Sequence, residues 1–221
     1  MIKLAPSLLS ADFSNLESEI RKIEEVGTQY LHLDIMDGHF VPNITFGAPV
    51  VKCIRPCSKM VFDVHLMIEN PEKYIEDFVK AGADIINVHV ETTDNISSLV
   101  DFIKTFPVKS AVTIKPDTPV SAIEEVLDKV DMVLVMTVYP GFSGQKLIPE
   151  ALDKIRYLDK LRKEKGLSFE IEIDGGVKLD NLDMVLECGV DVVVAGSAVF
   201  GQEDIGKAAK DFLERFESFE K

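Results

Sequence analysis

"PEKYIEDFVKAGADIINVHV", residues 71–90, holds one full structural repeat of the chain. Its first twelve residues follow a helical pattern, Gly82 stops that pattern where a left-handed backbone suits glycine, and an apolar run over 85–90 reads as a strand that follows at once. The same return occurs in "EVGTQY" (25–30) and "ECGVDV" (187–192). Reading outward, the periodicity predicts strands near 3–7, 30–36, 60–67, 85–90, 109–115, 132–138, 169–174 and 191–196. Between them lie helical patterns over 15–27, 48–55, 71–82, 96–105, 121–130, 148–166 and 181–189, with a last one after Gly206. Strand and helix alternate eight times without a fixed sequence period, which excludes a solenoid. The pattern predicts an α/β fold, a single-domain (β/α)8 TIM barrel over residues 1–221. A doubly wound open sheet is the competing arrangement; polar residues at the carboxyl ends of many strands favour the barrel, whose sites collect there. The loop "DGHFVPNITFG" (37–47) exceeds the usual connection length and is expected to serve as a lid or rim.

Those strand ends carry the chemistry. In "YLHLDIM" (30–36) alternate residues share a face, so His32, Asp34 and Met36 point one way and Leu31, Leu33 and Ile35 the other. Burying Asp34 without a partner would cost several kcal/mol, about 2 to 7 for an unpaired polar group and more for a charge, so something must compensate it. The third strand repeats the theme with Asp63, His65 and Met67, and the seventh, "EIEID", ends in Asp174 with Ile171 and Ile173 outward. In a barrel His32, Asp34, His65 and Asp174 converge at one mouth. Two imidazoles and two carboxylates suit one divalent metal, zinc, iron(II), manganese or cobalt, with positions open to substrate oxygens. His89 reads as a hydrogen-bonded core residue, His39 as a rim or exposed loop residue and Asp63 as a buried structural acid. Glu170 and Glu172 share the parity of Asp174 and are expected to pair with inward lysines such as Lys109 or Lys115.

Three glycine clusters follow the last strands: "YPGFSGQ" (139–145), "DGGV" (174–177) and "AGSAVFG" (195–201). Glycine lets the backbone approach an anion, and helix N-termini add positive ends, so amides can hold a phosphate without lysine. Met36, Met67 and Met136 lie near strand ends, where they can wall off water over the metal.

The totals constrain partners. A chain of 221 residues, 46% hydrophobic and 28% charged, supports a sizeable core, and a formal charge of −14 opposes nucleic acid and anionic membrane surfaces as partners. No apolar run reaches membrane-spanning length and no leader pattern opens the sequence, which reads as cytosolic. Cys53, Cys57 and Cys188 are odd in number and are expected to pack, with Pro56 ending the helix between the first two.

The motifs "APSLLSADF", "LHLDIMDGHFVPNITFG", "DVHLMIENP", "VMTVYPGFSGQ", "EIEIDGGV" and "AGSAVFG" together resemble the ribulose-phosphate 3-epimerase family over the whole chain. The resemblance implies interconversion of ribulose 5-phosphate and xylulose 5-phosphate, one divalent metal on His32, Asp34, His65 and Asp174, most commonly zinc, no organic cofactor, and a homo-oligomer, dimeric or hexameric. It also implies that Ser7 contacts the sugar while Gly141, Phe142, Ser143, Gly144, Gly175, Gly176, Gly196 and Ser197 hold the phosphate end. Tyr139, Ser143 and Lys115 depart from the commonest family pattern, leaving allulose-6-phosphate 3-epimerase, which acts on a ketohexose phosphate, as the alternative.

Epimerisation beside a ketone needs a proton removed from one face, an enediolate, and a proton returned to the other. Asp34 and Asp174 are the expected acid/base pair. A Schiff-base aldolase would need a strand lysine in the mouth, where only Lys115 offers itself. A metal-free decarboxylase of this barrel type would carry Asp-x-Lys on the third strand, where the chain has Asp63, Val64 and His65. A non-catalytic phosphosugar-binding barrel would have lost an acid or a ligand, and none is missing.

Overall fold

The computed structural model describes residues 1–220. Eight strands form one parallel sheet: β1 (Lys3–Pro6), β2 (Tyr30–Met36), β3 (Val61–Met67), β4 (Ile85–His89), β5 (Lys109–Ile114), β6 (Met132–Met136), β7 (Glu170–Asp174) and β8 (Val192–Ala195). The hydrogen-bonded order is β1-β8-β7-β6-β5-β4-β3-β2, and a parallel bridge between Ser7 and His32 brings β1 to β2, closing the ring as the (β/α)8 reading predicts. Helices α1 (Leu16–Glu25), α2 (Ala48–Ile54), α3 (Ile75–Ala81), α4 (Ile96–Ile103), α5 (Leu152–Lys165), α6 (Leu182–Leu186) and α7 (Ile205–Phe219) cover the outside.

Alternation along each strand divides the interior in two. Leu31, Leu33, Ile35, Ile171 and Ile173 face outward into an apolar shell shared with helix residues such as Ile20, Ile23 and Phe212. Each such side chain, fully buried, stabilises the fold by about 1.5 to 3 kcal/mol. Inside the barrel, Ala5, Tyr30, Ile85, Ala111, Met132, Val192 and Val194 form a second, smaller apolar cluster. The barrel strands also carry His32, Asp63, His65, Asn87, His89, Thr113 and Glu172, all fully buried. Polar atoms in such a place must be matched by partners, and the site is built from that matching.

The helix-to-strand returns have a common device. Gly82 adopts φ 103° at the end of α3, and its N–H bonds the carbonyls of Phe78 and Val79. Two residues on, the Asp84 carboxylate accepts the Phe62 N–H of β3; Asp131 does the same for Ser110 of β5, and Asp191 for Ile171 of β7. Arg55 and Arg162 bind Asp84 and Asp191 in turn. An acid ahead of each of β4, β6 and β8 thus pins the start of the preceding strand.

Two expectations change. Residues 121–130 are not a helix: 3-10 turns at Val120–Ala122 and Glu124–Val126 flank Ile123, whose φ of −122° breaks the helical path. Ile123, Val126, Leu127 and Val130 are nonetheless buried, so the apolar spacing reports their burial correctly. Lys154 of α5 binds the carbonyls of Lys115, Pro116 and Thr118, holding the chain ahead of these turns in a non-helical course. Cys53 is exposed and does not pack, because α2 turns Val51 and Ile54 to the core instead; Cys57 is half-buried and Cys188 buried. Among the described residues no helix is long and apolar enough to cross a membrane.

Candidate active site

The ends of β2, β3 and β7 bring His32, Asp34, His65 and Asp174 together, with one donor atom from each lying within 4.8 Å of the others. His32 Nε2 stands 3.2 Å from His65 Nδ1, 3.4 Å from Asp34 Oδ1 and 4.0 Å from Asp174 Oδ2, and His65 Nδ1 is 3.2 Å from Asp34 Oδ1. A cation with bonds of about 2.1 Å holds its donors roughly 3 to 4 Å apart, so the set fits one ion. His32 Nδ1 lies 2.5 Å from Asp63 Oδ2, which fixes the ring and leaves Nε2 to the cluster. Ser7 Oγ donates to Asp34 Oδ2 at 2.5 Å, and the Thr45 hydroxyl donates to the Asp34 carbonyl at 2.6 Å while accepting from the Met36 N–H, which locks the end of β2.

The two aspartates differ in ionisation. Burial works against the Asp34 carboxylate, but His32 and His65 overcome it and hold the group far below the usual carboxylate range. For Asp174, burial and the charge on Asp34 push the same way, up to about 6. Burial disfavours the His32 imidazolium, yet Asp34 and Asp63 raise its basicity well above the ordinary value. One carboxyl is thus kept as a base while its neighbour can hold a proton near neutrality.

The strand glutamates do not pair as expected. Glu170 binds Lys3 and accepts from the Tyr30 hydroxyl at 3.2 Å, while Lys109 is exposed and Lys115 lies 3.7 Å over the Phe40 ring. Glu172 meets no lysine: its Oε1 is 3.7 Å from His32 Nδ1, and its carboxyl group lies against Asp63. Burial and the adjacent Asp63 charge raise its pKa well above the usual range. The partner of each glutamate is set across the barrel, so parity along one strand does not reveal it. Asp63 is a buried acid as expected, His89 a buried, hydrogen-bonded core residue, and His39 exposed.

Above the cluster lies a cleft open to solvent. Ser7, Asp34, Met36, Met67, Met136, Gly141, Phe142, Ser143, Gly144, Asp174, Gly175, Gly176, Gly196 and Ser197 all line it. His65 is fully buried beneath. Ser10 and Lys178 also line the cleft and went unread in the sequence. Gly176 has φ 70°, and a Cβ there would meet the Leu147 backbone nitrogen at 2.3 Å, so only glycine lets this turn pass so close to the β6 loop. The loop after β2 is tied down as a rim: the Asp37 carboxylate accepts the N–H groups of His39, Phe40 and Glu69, and Asn43 Nδ2 donates to Gly141 O at 2.9 Å across the mouth.

Known proteins share this architecture, and some share much of the sequence. A 3-hexulose-6-phosphate synthase from Salmonella typhimurium superposes with a TM-score of 0.74 over 99% of this chain and 100% of its own, at 17% identity, which shows a common fold. The ribulose-phosphate 3-epimerase of Bacillus subtilis (strain 168) is 49% identical over 212 residues, 96% of this chain and 98% of the relative. That of Treponema pallidum (strain Nichols) is 51% identical over 197 residues, 89% and 90% of the two chains. The ribulose-phosphate 3 epimerase family model matches residues 3–200, from the first strand past the last, and so spans every element that supplies a cluster or cleft residue. The chain therefore belongs to the ribulose-phosphate 3-epimerase family.

Proposed function

We infer that this protein inverts C3 of D-ribulose 5-phosphate to give D-xylulose 5-phosphate, a reaction of the pentose phosphate pathway. The observation that carries the reading is one pair of carboxyl groups, Asp34 and Asp174, sharing a donor cluster with His32 and His65 at the foot of a glycine-lined cleft. A divalent cation, with zinc as the proposed native metal, supplies Lewis-acid stabilisation of the negative charge that develops on the substrate oxygens. His32, Asp34, His65 and Asp174 would hold it. Asp34 takes the C3 proton as general base, and Asp174 delivers a proton from the other side; in the reverse direction the two exchange roles. Ser7 orients Asp34 and meets the sugar. Met36, Met67 and Met136, nearly fully buried, keep water from the reacting carbon. The amides around Gly141–Gly144, Gly175–Gly176 and Gly196–Ser197 take the phosphate.

The supporting observations extend to assembly and compartment. Ile44, Tyr74 and Phe13 are exposed apolar side chains near an apolar groove that includes Phe46, Pro49 and Phe78, which supports assembly of copies into a dimer or hexamer. Three unpaired thiols, one of them exposed, support the cytosol as the compartment.

The test is a coupled assay of the zinc-loaded protein on ribulose 5-phosphate and allulose 6-phosphate, with Asp34→Asn and Asp174→Asn beside the wild type. The expected result is higher kcat/KM on the pentulose phosphate, and a loss of kcat by 10²- to 10⁴-fold or about that in each variant, with folding preserved. Preference for the hexulose phosphate would reassign the substrate, and near-normal turnover in either variant would remove that acid from the mechanism.

A further inference from the structure

Behind His65 runs a line of side chains that the reaction scheme leaves unused. His65 Nε2 is 2.9 Å from His89 Nε2, and His89 Nδ1 is 2.9 Å from Glu91 Oε2. The other oxygen of Glu91 accepts the Lys115 backbone N–H at 2.8 Å and the Thr118 hydroxyl, so Glu91 is an acceptor at both ends. The hydrogens in the line follow from these contacts. His89 must donate from Nδ1 to the carboxylate, and a fully buried neutral ring then has only a lone pair at Nε2. Two lone pairs do not face each other at 2.9 Å in a dry interior, so the hydrogen between the rings belongs to His65 Nε2. That turns His65 Nδ1 towards Asp34 Oδ1 and His32 Nε2, both 3.2 Å away, where it faces the place a cation would take. Phe40 packs its ring against His89 at 4.8 Å between centroids and carries Lys115 Nζ 3.7 Å from its own centroid, which keeps water from replacing the imidazole.

We propose that Glu91 and His89 are positioning residues that select the Nε2–H tautomer of His65, and thereby present its Nδ1 as a metal donor. The proposal rests on His65 being a ligand of the divalent cation. His32 and His65 are then aimed by opposite ring nitrogens, the first by a carboxylate in direct contact, Asp63, the second by a carboxylate one ring removed.

Two readouts other than turnover test this. The first is affinity for zinc alone, by competition with a chromophoric chelator, for the wild type, His89→Gln and His89→Phe. Glutamine offers an oxygen to His65 Nε2–H, and its affinity is expected within about threefold of wild type. Phenylalanine fills the space without an acceptor, and is expected to lower affinity by about 10- to 100-fold. The second is long-range ¹⁵N–¹H correlation on the zinc-loaded wild type, where the His65 hydrogen is expected on Nε2; this arm needs no variant to fold. A role in packing alone would lower thermal stability in both variants and leave the zinc affinity of the folded protein unchanged. Wild-type zinc affinity in His89→Phe, or a His65 hydrogen on Nδ1 in the wild type, would overturn the proposal. A wild type that binds no zinc would instead overturn the ligand reading beneath it.

Discussion

Asp34 and Asp174 are the same functional group in two environments, and the contrast between them is the main electrostatic fact of the site. Asp34 lies among imidazoles and accepts from Ser7; Asp174 has Asp34 for a neighbour. Glu172 sits below them under the opposite strain from Asp34, and this sets a pH dependence. Its folded-state pKa is raised, so below the unfolded value of about 4.3 both states are protonated and no penalty exists. As pH rises further the unfolded chain releases its proton while the folded chain holds it, and stability falls. Glu172→Gln removes that penalty at nearly constant volume. In metal-stripped protein the variant is expected to gain nothing at pH 4 and to melt progressively higher than wild type up to pH 8; a wild type that is the more stable partner at pH 8 would refute the assignment. His32, Asp34, His65 and Asp174 were legible from parity, because alternate positions on a strand share a face. The lack of a lysine for Glu172 and the choice of Lys3 for Glu170 were not, since they depend on which side chains meet across the barrel interior.

At the scale of elements, the repeating return from helix to strand is what makes the fold readable. Glycine after the helix and an acid ahead of the next strand recur at Gly82 with Asp84 and at Gly189 with Asp191, and each acid has a structural task on the preceding strand. Residues 121–130 misled because their apolar spacing satisfies a helix while tertiary contacts from Lys154 fix a different backbone. Loop glycines separate in the same physical terms. Gly144 and Gly176 both have positive φ, but a Cβ at Gly144 meets nothing within 4 Å and one at Gly176 strikes the Leu147 backbone. Gly144→Ala is expected to cost about 1 kcal/mol of backbone strain, and Gly176→Ala about 2 to 3 kcal/mol with a raised KM for the phosphorylated substrate. Denaturant midpoints for the two variants check this; equal losses would show that the close approach at Gly176 is unimportant.

For the whole molecule, charge and function pull in opposite directions. The chain carries a formal charge of −14, and its proposed substrate is a phosphate ester. Long-range attraction therefore does not gather the substrate, and under the proposed function recognition would fall to backbone amides, a bound cation and Lys178, which lines the cleft. Raising salt from about 10 to 150 mM shortens the range of the protein's field from roughly 30 to 8 Å, and kcat/KM is expected to rise. A steep fall would reveal a steering basic surface that this charge balance does not provide. The barrel and the four-residue cluster follow from the order of elements and the faces of strands, and the family from its motifs. The line from His65 through His89 to Glu91 does not, because β3 and β4 must be in register before the two imidazoles meet.

The central claim is that one divalent cation sits among two imidazoles and two carboxylates. The most direct measurement is anomalous diffraction at the zinc edge on crystals of the zinc-loaded protein. The account predicts a single strong peak about 2.0 to 2.2 Å from His32 Nε2, His65 Nδ1 and one oxygen each of Asp34 and Asp174; a peak elsewhere, or no peak at the mouth of the barrel, would contradict it.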